Sequence, residues 1–437
     1  MLRLVPQNST TILSFLCLKS RNTIVSFSSL SLSEKLLSVV AQKGYQQPTA
    51  IQAEAIPAIL AGRDIMASAQ TGTGKTAAFT LPLLQRLIDK SSSDEQSKAK
   101  RASVLVLAPT RELAVQVNTN VSQYAVNTDV SSIVIYGGVS IDAQATKLAA
   151  GVDVIVATPG RLLDHVRRGT LNLSDIEYLV FDEADRMLDM GFMDEINAIL
   201  KQLPAKRQTL LFSATFSSAI FELSKKLLQK PLRIEVDKAN SAANSIEQVV
   251  YAVDSERKTE LLCHLINKSA WQQVLVFSRK KQTADLIAQK MLAAGIEAKA
   301  FHGDLGQGAR EQVLNDFKQG KIKALVATDV AARGLDIVEL KVVVNYEIPF
   351  VAEDYVHRIG RTGRAGNTGK AITLYSEDDA LLLEEVESVI DKRLPQQWLE
   401  GFEPDLTKLE PVTRKNSKAA QRQRAKKRAL GADKRRR

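Results

Sequence analysis

The chain has 437 residues, 45% of them hydrophobic and 25% charged, the composition of an ordinary globular protein with room for two or three domains of about 100–200 residues. No run approaches the roughly 18 apolar residues of a membrane span, and the two cysteines, Cys17 and Cys263, lack metal-ligand spacing, which excludes a disulfide framework or a zinc site and fits a reducing compartment. The net charge of +10 is lopsided: Pro411–Arg437 hold twelve Lys/Arg against one Asp, so the other 410 residues sum to −1. Such a tail is a sequence-blind handle for phosphate backbones, or else a solubilising extension.

Residues 1 to about 24 are Ser/Thr-rich, contain no acid, and carry Arg3, Lys19 and Arg21. They read as a disordered extension without a role. An organellar presequence or a signal peptide stays open, although the apolar stretch Thr11–Leu18 is short. Ser31-Leu-Ser-Glu34 has the form of a capping box, followed by a helix with Leu36, Leu37 and Val40 inward and Gly44 as its stop. In Gly44-Tyr45-Gln-Gln-Pro48-Thr49-Ala50-Ile51-Gln52, Thr49 caps a second helix and Gln52 completes its box. The Gln52 amide also offers the acceptor and donor that match the N6 amino group and N7 of adenine.

Ile65–Ala69 is a short apolar strand, and the segment Ala69-Gln70-Thr71-Gly72-Thr73-Gly74-Lys75-Thr76 then opens a helix. This is the phosphate-cradling P-loop pattern, with Ala69 in place of its first glycine. Glycines let backbone N–H groups approach a phosphate, and the helix N-terminus adds partial positive charge. Lys75 would reach the β- and γ-phosphates, and the Thr76 hydroxyl would ligate Mg²⁺. Pro82 should kink or shorten the helix. After a polar loop at 91–100, β-rich runs at Val104–Ala108, Ile133–Tyr136, Val154–Thr158, Tyr178–Phe181, Leu210–Ser213 and Leu232–Val236 alternate with helical segments. This alternation predicts an α/β fold, a parallel sheet with helices on both faces and ligands at the C-terminal ends of its strands.

The chemistry falls at those ends. Asp182-Glu183-Ala184-Asp185 follows an apolar strand. Asp182 is placed to hold Mg²⁺ and Glu183 to orient or deprotonate an attacking water. Ser213-Ala214-Thr215 follows the next strand, where small hydroxyls bond acids on the adjacent loop. Asp237 to Ser245 reads as a polar linker. A second series without a P-loop then runs through Val249–Val253, Val274–Ser278, Ala298–Phe301, Ala324–Thr328, Val342–Tyr346 and Ala371–Tyr375. It carries Arg279, Arg310, Arg333 and the segment His357-Arg358-Ile-Gly-Arg361-Thr-Gly-Arg364. An arginine supplied across a domain gap stabilises charge developing on a γ-phosphate, and Arg361 and Arg364 have the spacing for it.

With some ten motifs in the family's order from about Phe27 to Tyr375, the sequence resembles the DEAD-box ATP-dependent RNA helicases of superfamily 2. Asp182-Glu-Ala-Asp185 is the signature. Gln307-Gly-Ala-Arg310 and the basic tail look most like the bacterial RhlE-type members. The resemblance implies two RecA-like domains, at 25–237 and 246–395, with a linker at 238–245, an extension at 1–24 and a basic tail from 396 to 437. It implies ATP and Mg²⁺ as cofactors. Phe27 would stack on adenine, Gln52 read the base edge, Gly72 to Thr76 bind phosphates, and Asp336 lie near the ribose. Ser213, Thr215, His357 and Arg358 would couple the nucleotide state to RNA. Pro109, Thr110, Arg111, Gly137, Gly138, Thr158, Pro159, Gly160 and Arg161 would line RNA in the first domain. Arg279, Gln307, Arg310 and Thr328 would do so in the second. Ala50 departs from the usual proline and barely touches the adenine contact.

The implied mechanism is a clamp that ATP and RNA close and hydrolysis reopens, unwinding short duplexes locally or remodelling RNA–protein complexes, with little sequence preference. Ribosomal precursors and RNA-decay proteins are the further partners it allows. A cytoplasmic monomer off the membrane is expected. A nucleotide-dependent RNA scaffold and a DNA helicase of related architecture are the alternatives.

Overall fold

The computed structural model describes residues 26–69, 72–93, 101–236, 246–332, 337, 340–363 and 369–405. Two seven-stranded sheets organise it, and every strand pairing in both is parallel. The first is built from β1 (Ile65–Ser68), β2 (Val104–Leu107), β3 (Ser132–Ile135), β4 (Val154–Ala157), β5 (Tyr178–Phe181), β6 (Gln208–Ser213) and β7 (Leu232–Glu235). The second comprises β8 (Ile246–Ala252), β9 (Val274–Ser278), β10 (Ala298–Phe301), β11 (Ala324–Thr328), β12 (Val342–Asn345), β13 (Gly369–Tyr375) and β14 (Gln396–Gln397). The orders are β3-β4-β2-β5-β6-β1-β7 and β10-β11-β9-β12-β13-β8-β14. Adding seven to each strand of the first gives the second, so the two units share one topology.

Burial follows from that layout. The central strands β1, β2, β4, β6, β9, β11 and β12 are buried at every position, as strands covered on both faces must be. Alternate residues feed opposite layers: Val104 and Val106 enter one core of the first unit, Leu105 and Leu107 the other. The second unit repeats this with Val274 and Val276 against Leu275 and Phe277.

Local differences from the sequence reading have identifiable causes. The Ser31–Glu34 capping box does not form: Phe27–Leu30 is a 3₁₀ turn ending on Ser31 in the left-handed region (φ 56°), and Ser33 precedes the helix Glu34–Gln42. Pro82 does not shorten its helix, which runs from Lys75 to Ser93. The loss of one backbone donor is outweighed there by the burial of Phe79, Leu81, Leu83, Leu84 and Leu87. The edge strand β14 carries no apolar alternation, both residues being exposed, and no sequence pattern announces it. The expected linker lies outside the described residues.

Candidate active site

The P-loop is held open from outside itself. Gly74 adopts φ 90°, and a Cβ there would collide with the Gln52 side-chain nitrogen. That contact belongs to a hydrogen bond: Gln52 Nε2 donates to the Gly74 carbonyl at 3.2 Å. Gln52 Oε1 meanwhile accepts from the Thr49 backbone N–H at 3.0 Å, within a complete capping box on the helix Ala50–Leu60. One amide therefore starts that helix and sets the P-loop, and it retains one N–H and one lone pair for a base edge.

Lys75, the first residue of the next helix, is 6% exposed, and its Nζ has no hydrogen-bond partner among the described residues. A buried amine without a partner is costly and marks a place where an anion is wanted. Asp182, after β5, is 3% exposed. Burial pushes its carboxyl up to about 7, with the Lys75 charge opposing the shift and the Glu183 and Asp185 charges reinforcing it. Glu183 stands in the left-handed region (φ 53°), a conformation a non-glycine residue keeps only where its surroundings impose it. Asp185 turns to the next loop. Its Oδ2 accepts from Ala214 N and Thr215 N, each at 3.1 Å, and from the Thr215 hydroxyl at 3.3 Å. Ser213 Oγ donates to the Thr215 carbonyl at 2.8 Å.

A cavity of about 530 Å³ collects these groups: Thr49, Gln52, Gly72, Gly74, Lys75, Thr76, Asp182 and Glu183 from the first unit, and Arg361 from the second. Arg361 is 4% exposed and follows the helix Ala352–Ile359. Behind it Arg358 is locked in place, its Nε and Nη2 on the Asp329 carboxylate at 2.6 and 2.8 Å and its Nη1 on the Glu347 carbonyl at 2.6 Å. His357 is half-buried beside it. Ala69 is buried at the end of β1, and Thr73 stands next to the lining glycines. Gln70, Thr71, Asp336 and Arg364 lie outside the described residues.

The family model for DEAD/DEAH box helicases matches residues 49–223, and that for the helicase conserved C-terminal domain matches residues 257–366. An ATP-dependent RNA helicase CshA of Listeria monocytogenes is 44% identical over 380 residues, 86% of this chain and 72% of that protein. The chain belongs to the DEAD-box helicase family. A DeaD RNA helicase of Mycobacterium tuberculosis is 42% identical over 86% of the chain and 65% of its own length. Among solved structures, S. cerevisiae Dbp5 bound to RNA and ADP BeF3 superposes with a TM-score of 0.75 at 31% identity, over 85% of this chain and 95% of that one. Mss116p bound to ssRNA and AMP-PNP gives 0.78 at 26% identity, over 95% and 83%.

In this helicase the remaining predicted residues sit at strand ends on the other half of each sheet. Pro109, Thr110 and Arg111 follow β2, Gly137 and Gly138 follow β3, and Thr158, Pro159, Gly160 and Arg161 follow β4. In the second unit Arg279 follows β9, Gln307 opens the helix after β10, and Thr328 ends β11. The cavity residues follow β1 and β5, and β5 adjoins β2 in the sheet. The two groups thus share one edge of the molecule.

Three of the predicted residues are engaged within the protein. Phe27 is 6% exposed in the core and stacks on Tyr45 at 6.5 Å, and Tyr45, unlike Phe27, lines the cavity. Arg310 does not present its guanidinium outward. It is 8% exposed, with Nε and Nη2 on Glu112 Oε1 at 2.8 and 2.6 Å, so it ties the second unit to the first. Arg279 is turned inward onto Glu347 and Asp379, at 3.3 and 3.6 Å. A second tie joins Arg111 Nη1 to Gln307 Oε1 at 3.2 Å. Sequence reasoning also missed Gln116, Asn120 and Tyr124, which line the far wall of the cavity at a helical spacing of four. That spacing was the available signal, but the same helix buries Leu113, Val117 and Val121, which masks it.

Proposed function

We propose that this protein is an RNA-dependent ATPase that closes its two units around ATP and RNA to unwind short duplexes or remodel RNA–protein complexes. The observation that carries the reading is a shared cavity to which the first unit supplies Lys75, Thr76, Asp182 and Glu183 and the second supplies Arg361. Gly72, Gly74 and Lys75 take the β- and γ-phosphates. Gln52 reads the adenine edge, with Tyr45 beside it. Glu183 takes the proton of the attacking water, and Arg361 meets the charge that grows on the γ-phosphate. Arg361 reaches the cavity only when the units are together, so closure and hydrolysis are linked. Asp185, bonded to the Ala214–Thr215 backbone, and Arg358, locked on Asp329, pass the state of the cavity to the neighbouring strand ends.

The donor set suits Mg²⁺. Oxygen ligands are what this ion takes, Thr76 and Asp182 offer them, and two buried carboxylates beside a triphosphate exceed what Lys75 alone can neutralise. When bound there the ion would offset charge on the phosphate oxygens.

RNA crosses the strand ends of β2, β3 and β4 and their counterparts β9, β10 and β11, gripped through phosphates and 2′-hydroxyls with little sequence preference. The +11 tail adds a salt-sensitive, sequence-blind contact. The finer RhlE-type placement rests on Gln307-Gly-Ala-Arg310 and that tail, whereas the relatives named above are CshA and DeaD proteins. As part of the same reading the protein acts as a cytoplasmic monomer, and its scarce cysteines support a reducing compartment.

The test is steady-state ATPase without nucleic acid, with RNA, and with DNA of the same sequence, using Glu183→Gln as the control. Stimulation by RNA alone, lost in the control, is the expected result. Equal turnover in all three conditions would remove the closure mechanism, and equal stimulation by DNA would favour a DNA helicase.

A further inference from the structure

Gln144, on the helix Ile141–Ala149, has none of the roles above, yet its side chain joins two separate pieces of the proposed RNA face to a buried histidine. Gln144 is 7% exposed. Its Nε2 donates to the Tyr136 carbonyl at 3.1 Å, at the root of the Gly137–Gly138 loop. Its Oε1 accepts from Arg161 Nη1 at 3.1 Å, and Arg161 Nη1 also donates to the Val139 carbonyl at 2.9 Å, at the far end of that loop. The same Oε1 lies 3.1 Å from Nε2 of His165, which is fully buried.

The protonation pattern of this cluster follows from its fixed members. A carbonyl only accepts and a guanidinium only donates, so Tyr136 and Arg161 fix which way the Gln144 amide points. With Oε1 facing it, His165 Nε2 must carry a proton. Nδ1 lies 2.8 Å from the Thr170 hydroxyl, which also reaches the His165 backbone carbonyl at 3.1 Å, so its single proton serves one of these two acceptors at a time. Burial, reinforced by the Arg161 and Arg168 charges and opposed by Asp164, holds the ring below its ordinary range, which agrees with a neutral ring.

The loop between these anchors runs close under two guanidinium groups. A Cβ on Gly137 would stand 3.7 Å from Arg111 Nη2 and 4.0 Å from Arg161 Nη2. Gly138, at φ 88°, lies so close under the Arg111 guanidinium that a Cβ would overlap it. Two cations expected on the RNA backbone therefore flank a loop whose two ends are set by Gln144 directly and through Arg161.

We propose that Gln144, supported by His165 and Thr170, is a positioning residue for RNA: it holds the Gly137–Val139 loop and the Arg161 guanidinium in the arrangement that grips the phosphate backbone. The inference rests on the RNA-face reading above. An interaction that pre-sets a binding surface acts on affinity, not on the chemical step.

The experiment uses the full chain and a labelled oligoribonucleotide, reading RNA affinity by anisotropy with a non-hydrolysable ATP analogue, and kcat and half-saturating RNA by ATPase. Gln144→Leu should raise half-saturating RNA roughly tenfold and leave kcat at saturating RNA within about twofold. Adding Gln144→Leu to Arg161→Ala should cost clearly less than Gln144→Leu costs alone, because the guanidinium that Gln144 aims is already gone and only its hold on the Tyr136 carbonyl remains to be lost. His165→Leu should reproduce part of the loss, and His165→Gln, which keeps a donor near the ring Nε2 position, should restore it. Additive losses in the double variant, or a lower kcat with unchanged half-saturating RNA, would overturn the proposal. Should Gln144→Leu fail to fold, the two His165 variants decide, and equal RNA affinity for them would overturn it as well. If Arg161→Ala itself leaves RNA affinity unchanged, the RNA-face reading fails first and takes this inference with it.

Discussion

The two units place a lysine at the same point of the same topology. Lys75 opens the helix after β1, and Lys258 opens the helix after β8, the equivalent strand of the second sheet. Both are buried, at 6% and 4% exposure. Lys258 Nζ is closed in an ion pair with Asp379 at 2.7 Å, and the Asp379 carboxylate also accepts from the Ser376 hydroxyl and backbone N–H. Lys75 Nζ has no such bond, although Asp182 is near enough for the two charges to act on each other. One scaffold thus yields two outcomes. Where the pair is closed the charge serves the fold, and where it is left open the charge is available to a ligand. An open pair is tolerated because the glycine-rich loop brings backbone N–H groups to the same spot, and an anion there can satisfy loop and lysine together.

This contrast is sharpest under substitution of the two lysines. Lys75→Ala should lower RNA-stimulated kcat by about 10²–10³-fold or more while leaving the thermal midpoint of the nucleotide-free protein unchanged or raised. Steady-state turnover and a melting curve on the same preparation check both halves. Lys258→Met should do the reverse. It leaves the buried Asp379 only the longer Arg279 contact and the Ser376 donors, and is expected to destabilise the second unit by up to about 3–5 kcal/mol, read from denaturant unfolding. Any fraction still folded should hydrolyse ATP nearly normally. A catalytic defect without destabilisation would mean that the second lysine is not structural.

The open pair also has a pH signature. The Asp182 carboxyl titrates at about 7 in the fold against an ordinary 3.8. The folded state therefore binds this proton more tightly than the unfolded chain, and stability from this group is present at low pH and is lost as pH rises from about 4 through about 7. Asp182→Asn should stabilise the nucleotide-free protein at pH 8, on the order of 2–4 kcal/mol, with the gain vanishing near pH 4. A pH-independent difference between variant and parent would place the carboxylate in a more polar setting than its burial indicates.

What the sequence discloses and what it withholds divide along the range of the interactions. The P-loop, the Asp182–Asp185 turn and the alternating strands are legible because each is a local pattern whose backbone geometry needs particular residues within ten positions. The order of strands within each sheet is not local and was not specified beyond the parallel arrangement. Phe27 and Tyr45 are both aromatics near the same helix, and only packing decides that Tyr45 and not Phe27 lines the cavity. The Glu112–Arg310 and Lys258–Asp379 pairs join residues 198 and 121 positions apart. A lone Arg or Asp looks alike in sequence whether it awaits a phosphate or is already paired.

The seam between the units extends the same rule to a pair that must both close and open. Arg186, directly after the Asp182–Asp185 turn, reaches Asp354 of the second unit at 2.5 Å and Asp189 of its own at 3.1 Å. The Arg186 side chain is 4% exposed and that of Asp354 10%, so the pair is dry when the units are together and returns to water when they part. Desolvation opposes its formation, and the remaining partners decide the balance: Arg186 Nη2 is buried without a hydrogen bond, so the guanidinium is not fully satisfied even in the closed arrangement. A pair of this kind fixes the register of closure and contributes little net hold, which suits a clamp that must release. Breaking it from one side leaves a less fully compensated charge in the seam, so Arg186→Met and Asp354→Asn should each raise half-saturating RNA several-fold, whereas the double variant should recover much of the loss. The coupling expected from the four proteins is about 1–3 kcal/mol. Strictly additive effects would mean that the two side chains do not meet in solution, and that closure is set by Glu112 with Arg310 and by Arg111 with Gln307 alone.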